Sequence, residues 1–65
     1  MKSYSSREVI AILRADGWVL KKVVGSHHGF EHPTKPGKVT VKHPTGDIPL
    51  KTLQSIGRQS GLSFK

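Results

Sequence analysis

The chain has 65 residues, no cysteine and a formal net charge of +7 at pH 7, from 11 Lys and Arg against 4 Asp and Glu. This length excludes a second domain and predicts one domain over residues 1–65 with a modest core. The lack of cysteine excludes disulfides and thiolate metal sites, and no apolar segment suits a membrane span or a secretory signal, so we expect a cytoplasmic protein without membrane contact.

The excess of positive charge predicts an acidic partner. A net charge of this sign and size is typical of proteins that bind nucleic acid. An acidic protein surface is the alternative that charge alone leaves open, and the two kinds of partner are compatible with each other.

The first predicted element is a helix from about Ser6 to Asp16. Ser5 and Glu8 have the spacing of a capping box, in which each side chain accepts a hydrogen bond from the backbone N–H of the other residue. Apolar residues then repeat at helical spacing, and Gly17 supplies the positive φ that many helix C-termini require.

Three strands are predicted to follow. β-Branched and aromatic residues indicate strands over Trp18–Val24 and Ser26–His32 with a turn at Gly25, and alternation of apolar and polar residues indicates a third over Lys38–His43. The intervening residues 33–37 contain two prolines and a glycine, which are typical of a turn or short loop.

A second helix is predicted to close the chain. Asp47 is its expected N-cap, because Pro49 is tolerated in a first helical turn and apolar residues follow at spacing three, and Gly61 is its expected end. The order αβββα predicts an α+β fold in which two helices pack on one face of a three-stranded antiparallel sheet. The other face of the sheet is then open to solvent.

His27 is the candidate catalytic residue. Adjacent strand residues point to opposite faces, and His28 has the parity of the apolar Phe30, so we expect His28 to be structural and His27 to lie on the open face with Gly29. The missing side chain of Gly29 allows close approach of a ligand. An imidazole near neutral pH can remove the proton of a ribose 2′-OH or protonate the leaving oxygen, although an exposed histidine that merely contacts phosphate fits the same pattern.

Basic residues are distributed over most of the predicted elements. Cations of this kind bind phosphates and stabilise the charge of a phosphorane, although each one alone is equally compatible with a solvated surface. Ser26 precedes His27 and either contacts substrate or serves the turn. The predicted substrate-binding residues are Lys21, Lys22, Ser26, Lys38, Lys42, Lys51 and Arg58.

No metal or other cofactor is predicted. His28 and His32 have the i, i+4 spacing that binds zinc from a helix, but on a strand this spacing separates them by about 13 Å. One histidine together with lysines could suffice for the chemistry without a metal.

Several short motifs together resemble the HicA family of toxins. The resemblance covers about Ser5 to Leu62 and is carried by Asp16-Gly17-Trp18, Gly25-Ser26-His27-His28-x-Phe30, His32-Pro33-x-Lys35-Pro36-Gly37, Val39-Thr40-Val41-x-His43-Pro44 and Asp47-Ile48-Pro49. It implies a messenger-RNA interferase of a toxin–antitoxin pair, a fold like the double-stranded-RNA-binding domain, and a HicB-like antitoxin as partner. The histidine that follows Gly-Ser is catalytic in the family and corresponds to His27.

The leading hypothesis is therefore a metal-independent endoribonuclease that cleaves mRNA with His27 as general acid or base. The alternative is a non-catalytic RNA-binding module of the same fold. A small DNA-binding protein with its second helix in a groove is disfavoured by Gly57 within that helix and by the short basic face.

Overall fold

Two helices and three strands follow one another in the predicted order. The computed structural model describes residues 3–64, so Met1, Lys2 and Lys65 of the predicted domain lie outside the described residues. The strands form one antiparallel sheet in the order β1-β2-β3, which confirms the predicted α+β fold class. The elements are α1 (Ser6–Ala15), β1 (Val19–Val24), β2 (His27–Glu31), β3 (Lys38–Lys42) and α2 (Leu50–Ser60).

The predicted capping box begins α1. Ser5 Oγ accepts a hydrogen bond from the backbone N–H of Glu8 at 3.2 Å, and Glu8 Oε1 accepts one from the backbone N–H of Ser5 at 3.0 Å. These bonds satisfy two of the amide donors that a helix N-terminus leaves without a partner.

A Schellman motif ends α1 and moves the start of β1. Gly17 has a φ of +102°, its N–H donates to Arg14 O at 3.0 Å, and the N–H of Trp18 donates to Leu13 O at 3.0 Å. The backbone of Trp18 thus belongs to the helix cap, and β1 begins at Val19, one residue later than predicted.

The predicted N-cap of the second helix is wrong. Pro49, not Asp47, occupies the N-cap position of α2, and within residues 3–64 no side chain caps this end. Ile48 explains the difference, because its N–H donates to Tyr4 O at 2.8 Å and its side chain is buried in the core. A residue committed to this long-range contact cannot also begin a helix.

Both helices pack on one face of the sheet. Phe30, Val39 and Val41 are buried there, and they alternate along their strands with residues that are more exposed. Trp18 is 2% exposed and belongs to this core. The core contains Tyr4, Val9, Leu13, Trp18, Phe30, Val39, Val41, Ile48, Leu53 and Ile56.

The other side of the sheet is open, as predicted. Directly paired residues of neighbouring strands share a face, so the pairing register assigns one row of residues from each strand to this side. We call this side the open face, and it consists of Val19, Lys22, Val24, His27, Gly29, Glu31, Lys38, Thr40 and Lys42.

A polar cluster joins the end of α1 to the loop after β2. His32 Nε2 donates to Asp16 O at 2.6 Å, while its Nδ1 accepts from the backbone N–H groups of Thr34 at 3.0 Å and Lys35 at 3.1 Å. Lys35 Nζ donates to Asp16 Oδ2 at 2.5 Å and to Ser60 O at 3.2 Å. Asp16, His32 and Lys35 therefore hold the loop in place. In this structure, the contacts of these three side chains stabilise the fold.

Acid should weaken the fold through Asp16. The hydrogen bond from Lys35 is the main cause that holds the pKa of Asp16 below its ordinary value of 3.8. A carboxyl with a lowered folded-state pKa stabilises the protein above its unfolded pKa, and this stability is lost as the pH falls through the folded pKa. We expect the free energy of unfolding, measured by urea titration, to decline as the pH falls below about 4.

Two variants isolate this contribution. Asp16→Asn should be less stable than the wild type at pH 7 and should lose part of the decline at acid pH. Asp47→Asn replaces an exposed carboxyl and keeps Asp16, so it should retain the decline. Identical pH profiles for Asp16→Asn and the wild type would contradict the assignment.

Candidate active site

His27 is the first residue of β2 and lies on the open face. Its partners in the sheet are Val24 on β1 and Lys42 on β3. The side chain of His27 is exposed, whereas Phe30 on the opposite face is 1% exposed. The parity prediction is confirmed, and the imidazole is accessible to a ligand.

A shallow depression of about 200 Å³ lies beside His27 and is lined by Lys22, Val24, His27, Gly29 and Thr40. Gly29 forms its floor, between Lys22 on one neighbouring strand and Thr40 on the other. An added Cβ at Gly29 would lie 3.6 Å from the carbonyl oxygen of Lys22, an ordinary contact. The glycine is therefore not required by packing, and its effect is to let a ligand reach the backbone beside the imidazole.

The predicted cations divide between the two faces of the sheet. Lys42 is paired with His27, and Lys22 lies in the same depression. Lys38 is also on the open face, but its Nζ lies 3.9 Å from Glu31 Oε2, so a carboxylate offsets its charge. Lys21 has no cross-strand partner in the pairing register, which is irregular between Leu20 and Lys22.

The two predicted cations of α2 are not brought together with His27. Lys51 and Arg58 are exposed, and the buried side of their helix, Leu53 and Ile56, packs in the core on the far side of the sheet. Their role as phosphate ligands stays a prediction, and it would have to be exercised away from the depression.

Ser26 was predicted to begin the second strand, but it lies in the two-residue turn between β1 and β2, one residue before β2 begins. Its carbonyl oxygen accepts a hydrogen bond from the backbone N–H of His43 at 2.7 Å and another from His28 Nδ1 at 3.2 Å. Because this carbonyl belongs to the peptide bond that precedes His27, the two donors fix the backbone from which the exposed imidazole projects.

Sequence reasoning missed a polar cluster behind His27. Ser6 Oγ accepts from the backbone N–H of Thr45 at 2.8 Å and forms a second hydrogen bond with His43 Nδ1 at 2.7 Å. The His43 ring meets the His28 ring edge to face, with centroids 5.1 Å apart. Ser6 and His43 are distant in the sequence, so neither local spacing nor periodicity could reveal their pairing.

The hydrogen bond from His28 predicts different effects for two replacements of similar size. His28→Asn keeps a donor near the position of Nδ1, whereas His28→Leu leaves the Ser26 carbonyl with one donor fewer. We expect His28→Leu to be about 1 kcal/mol less stable than His28→Asn in urea unfolding monitored by circular dichroism. Equal stabilities would show that the His28 bond contributes nothing to the turn.

A larger concavity lies elsewhere and lacks suitable chemistry. It has about 670 Å³ and runs along α2 to Phe64, and Arg58 is its one titratable lining residue among residues 3–64. In the same range, no three His, Asp or Glu side chains form a group that could hold a metal ion. No helix there is long and apolar enough to cross a membrane.

The sequence of this chain matches a known protein family over nearly its whole length. The family described as "HicA toxin of bacterial toxin-antitoxin" matches residues 6–62, a segment that begins with α1 and ends just after α2. A search of curated proteins finds no significant match. Because the family match includes both helices, all three strands and the His27 depression, the chain belongs to the HicA family of bacterial toxin–antitoxin toxins.

Proposed function

We propose that the protein is an endoribonuclease that cleaves mRNA without a metal ion and uses His27 as general acid or base. The observation that carries the proposal is the exposed imidazole at the edge of a glycine-floored depression, with Lys42 beside it in the sheet. Members of the HicA toxin family generally cleave mRNA, which supports the same reaction class.

The proposed reaction uses a nucleophile that RNA itself supplies. The ribose 2′-oxygen attacks the adjacent phosphorus and loses its proton, the P–O5′ bond breaks, and the 5′-oxygen gains a proton. The products are a 2′,3′-cyclic phosphate and a 5′-hydroxyl. His27 takes or gives one of these protons, and nearby ammonium groups stabilise the additional negative charge of the phosphorane.

The open face favours single-stranded RNA held mainly by charge. Lys22 and Lys42 flank His27 on opposite sides, so a backbone crossing the strands can meet an ammonium group before and after the imidazole. Among the described residues of the open face, none is Phe, Tyr or Trp, so stacking on a large aromatic surface does not contribute there. Binding should consequently weaken as salt is raised.

A matched pair of lysine and arginine variants tests this placement. Lys42→Ala should raise the Kd for a short RNA several-fold and lower the salt dependence of binding, because one phosphate contact is lost. Arg14→Ala removes an exposed cation from α1, on the other side of the sheet, and should change Kd less than twofold. Equal effects in fluorescence anisotropy titrations would contradict binding on the open face.

The reaction itself is tested with purified protein and end-labelled mRNA in EDTA. We expect cleavage with 2′,3′-cyclic phosphate ends, and no cleavage of the same sequence made with 2′-deoxyribose at the cleaved position. Binding without cleavage would favour a non-catalytic RNA-binding module. Cleavage that requires added Mg²⁺, or that proceeds on the 2′-deoxy substrate, would overturn the proposed mechanism.

We propose a HicB-like antitoxin as the protein partner, acting with the toxin in the cytoplasm. Family membership implies a toxin–antitoxin pair, and the net charge of +7 favours a partner with an acidic surface.

A further inference from the structure

β1 is the part of the sheet that the helices leave uncovered. All six of its residues are exposed, including four large apolar ones: Val19 at 49%, Leu20 at 40%, Val23 at 52% and Val24 at 57%. The apolar residues of β3 are 0% and 1% exposed under the two helices. The described fold therefore has one strand whose apolar side chains lack the cover that the other strands receive.

The exposed apolar residues occupy both sides of this edge strand. Leu20 is paired with Phe30 and Val23 with His28, so both face the helix side of the sheet, whereas Val24 is paired with His27 on the open face. Within residues 3–64, no strand lies beyond β1. An edge strand with free backbone groups and apolar side chains is a template for a segment of another chain.

We propose that β1 is the docking strand for the antitoxin, through an antitoxin segment that carries both apolar and acidic side chains. Its apolar side chains cover Leu20 and Val23, and its carboxylates meet Lys21 and Lys22. This inference rests on the proposed function only in taking the partner to be the antitoxin.

Charge selects an acidic partner over a second copy of this chain. If β1 paired antiparallel with itself about a two-fold axis at its centre, Lys21 of each copy would lie opposite Lys22 of the other. Like charges directly opposite each other destabilise a strand pair, and each copy has a net charge of +7. Glu31 is the acidic residue paired with β1, at Val19. Its carboxylate already lies 3.9 Å from Lys38 Nζ, so it does not offset the charge of Lys21 and Lys22.

Docking on β1 connects antitoxin binding to the candidate active site. Val24 and Lys22 belong to the strand and also line the depression around His27. A segment along β1 therefore borders the depression and obstructs RNA from that side. Leu20 and Val23 face the helix side, so they can be changed without altering the open face, and antitoxin binding becomes separable from cleavage.

Two apolar-to-acidic variants provide the test. Val23→Glu places a carboxylate on β1, against the proposed acidic partner, whereas Leu50→Glu makes the same kind of change at an exposed apolar residue of α2. The probe is a purified HicB-family antitoxin, with affinity measured by isothermal titration calorimetry and folding by circular dichroism. We expect Val23→Glu to bind at least about tenfold more weakly, and Leu50→Glu to bind like the wild type.

Cleavage assays make failure of the docking proposal distinct from failure of the proposed function. Val23→Glu should cleave RNA like the wild type when alone and resist antitoxin concentrations that silence the wild type. If Val23→Glu binds the antitoxin as tightly as the wild type does, the proposal is overturned. It is also overturned if the wild type forms a dimer and Val23→Glu is a monomer, because β1 would then pair with a second copy. If neither the wild type nor the variants cleave RNA, the nuclease assignment fails. The affinities of the three proteins for the antitoxin still decide whether β1 is the docking strand.

Discussion

His27→Ala is expected to lower the rate of RNA cleavage at least about 100-fold, the lower end of the range for a general acid or base. The side chain is exposed and lies outside the core, so its loss should change the free energy of unfolding by less than about 0.5 kcal/mol. Single-turnover cleavage in EDTA measures the first effect, and urea unfolding measures the second.

Thr40→Ala is the control for this variant. Thr40 lines the same depression and is exposed, but its hydroxyl does not titrate in the neutral range. We expect Thr40→Ala to retain the cleavage rate within about tenfold, since it loses at most one hydrogen bond to substrate. If His27→Ala cleaves RNA as fast as Thr40→Ala, another group performs the proton transfer.

Gly17→Ala is expected to destabilise the fold by about 3 kcal/mol, a large share of the stability of a domain of this size. Its φ of +102° is unfavourable for a residue with a side chain, at a cost of about 1–2 kcal/mol. The new Cβ would also lie 2.8 Å from His32 Nε2, which donates to Asp16 O at 2.6 Å. Displacing that ring breaks a partly buried hydrogen bond worth about 1–3 kcal/mol.

Two other glycines separate these causes. Gly37 has a φ of +83°, and no described atom lies within 4 Å of an added Cβ, so Gly37→Ala measures the backbone cost alone. Gly46 is equally open and has no positive φ, so Gly46→Ala should be nearly neutral. Urea unfolding followed by Trp18 fluorescence should rank the variants Gly17→Ala, Gly37→Ala and Gly46→Ala from least to most stable. Equal losses at Gly17 and Gly37 would show that His32 moves aside without cost.

Features encoded by neighbouring residues could be predicted from the sequence. The capping box of Ser5 and Glu8 is specified by spacing along one helical turn, and it forms as expected. The placement of His27 on the open face needed only strand parity and one buried reference residue, Phe30. Local geometry determines both features, so no knowledge of the rest of the chain was necessary.

Features that depend on contacts between distant segments could not be predicted. Asp47 has the local character of an N-cap, but the hydrogen bond between Ile48 and Tyr4 delays the start of α2. Ser6 and His43 are 37 residues apart in the sequence, so no local pattern indicates that they pair. Charge alone likewise could not indicate that Arg58 lies across the sheet from His27.

The separation of the two sheet faces has a consequence for how such a toxin can diversify. Lys22, Val24, Thr40 and Lys42 surround His27 but are exposed and contribute nothing to the buried core. Replacements among them that keep strand propensity change the surface presented to a ligand without opening a cavity. Under the proposed function, related chains can therefore acquire new target preferences through substitutions on the open face, while the helix side of the sheet continues to maintain the fold.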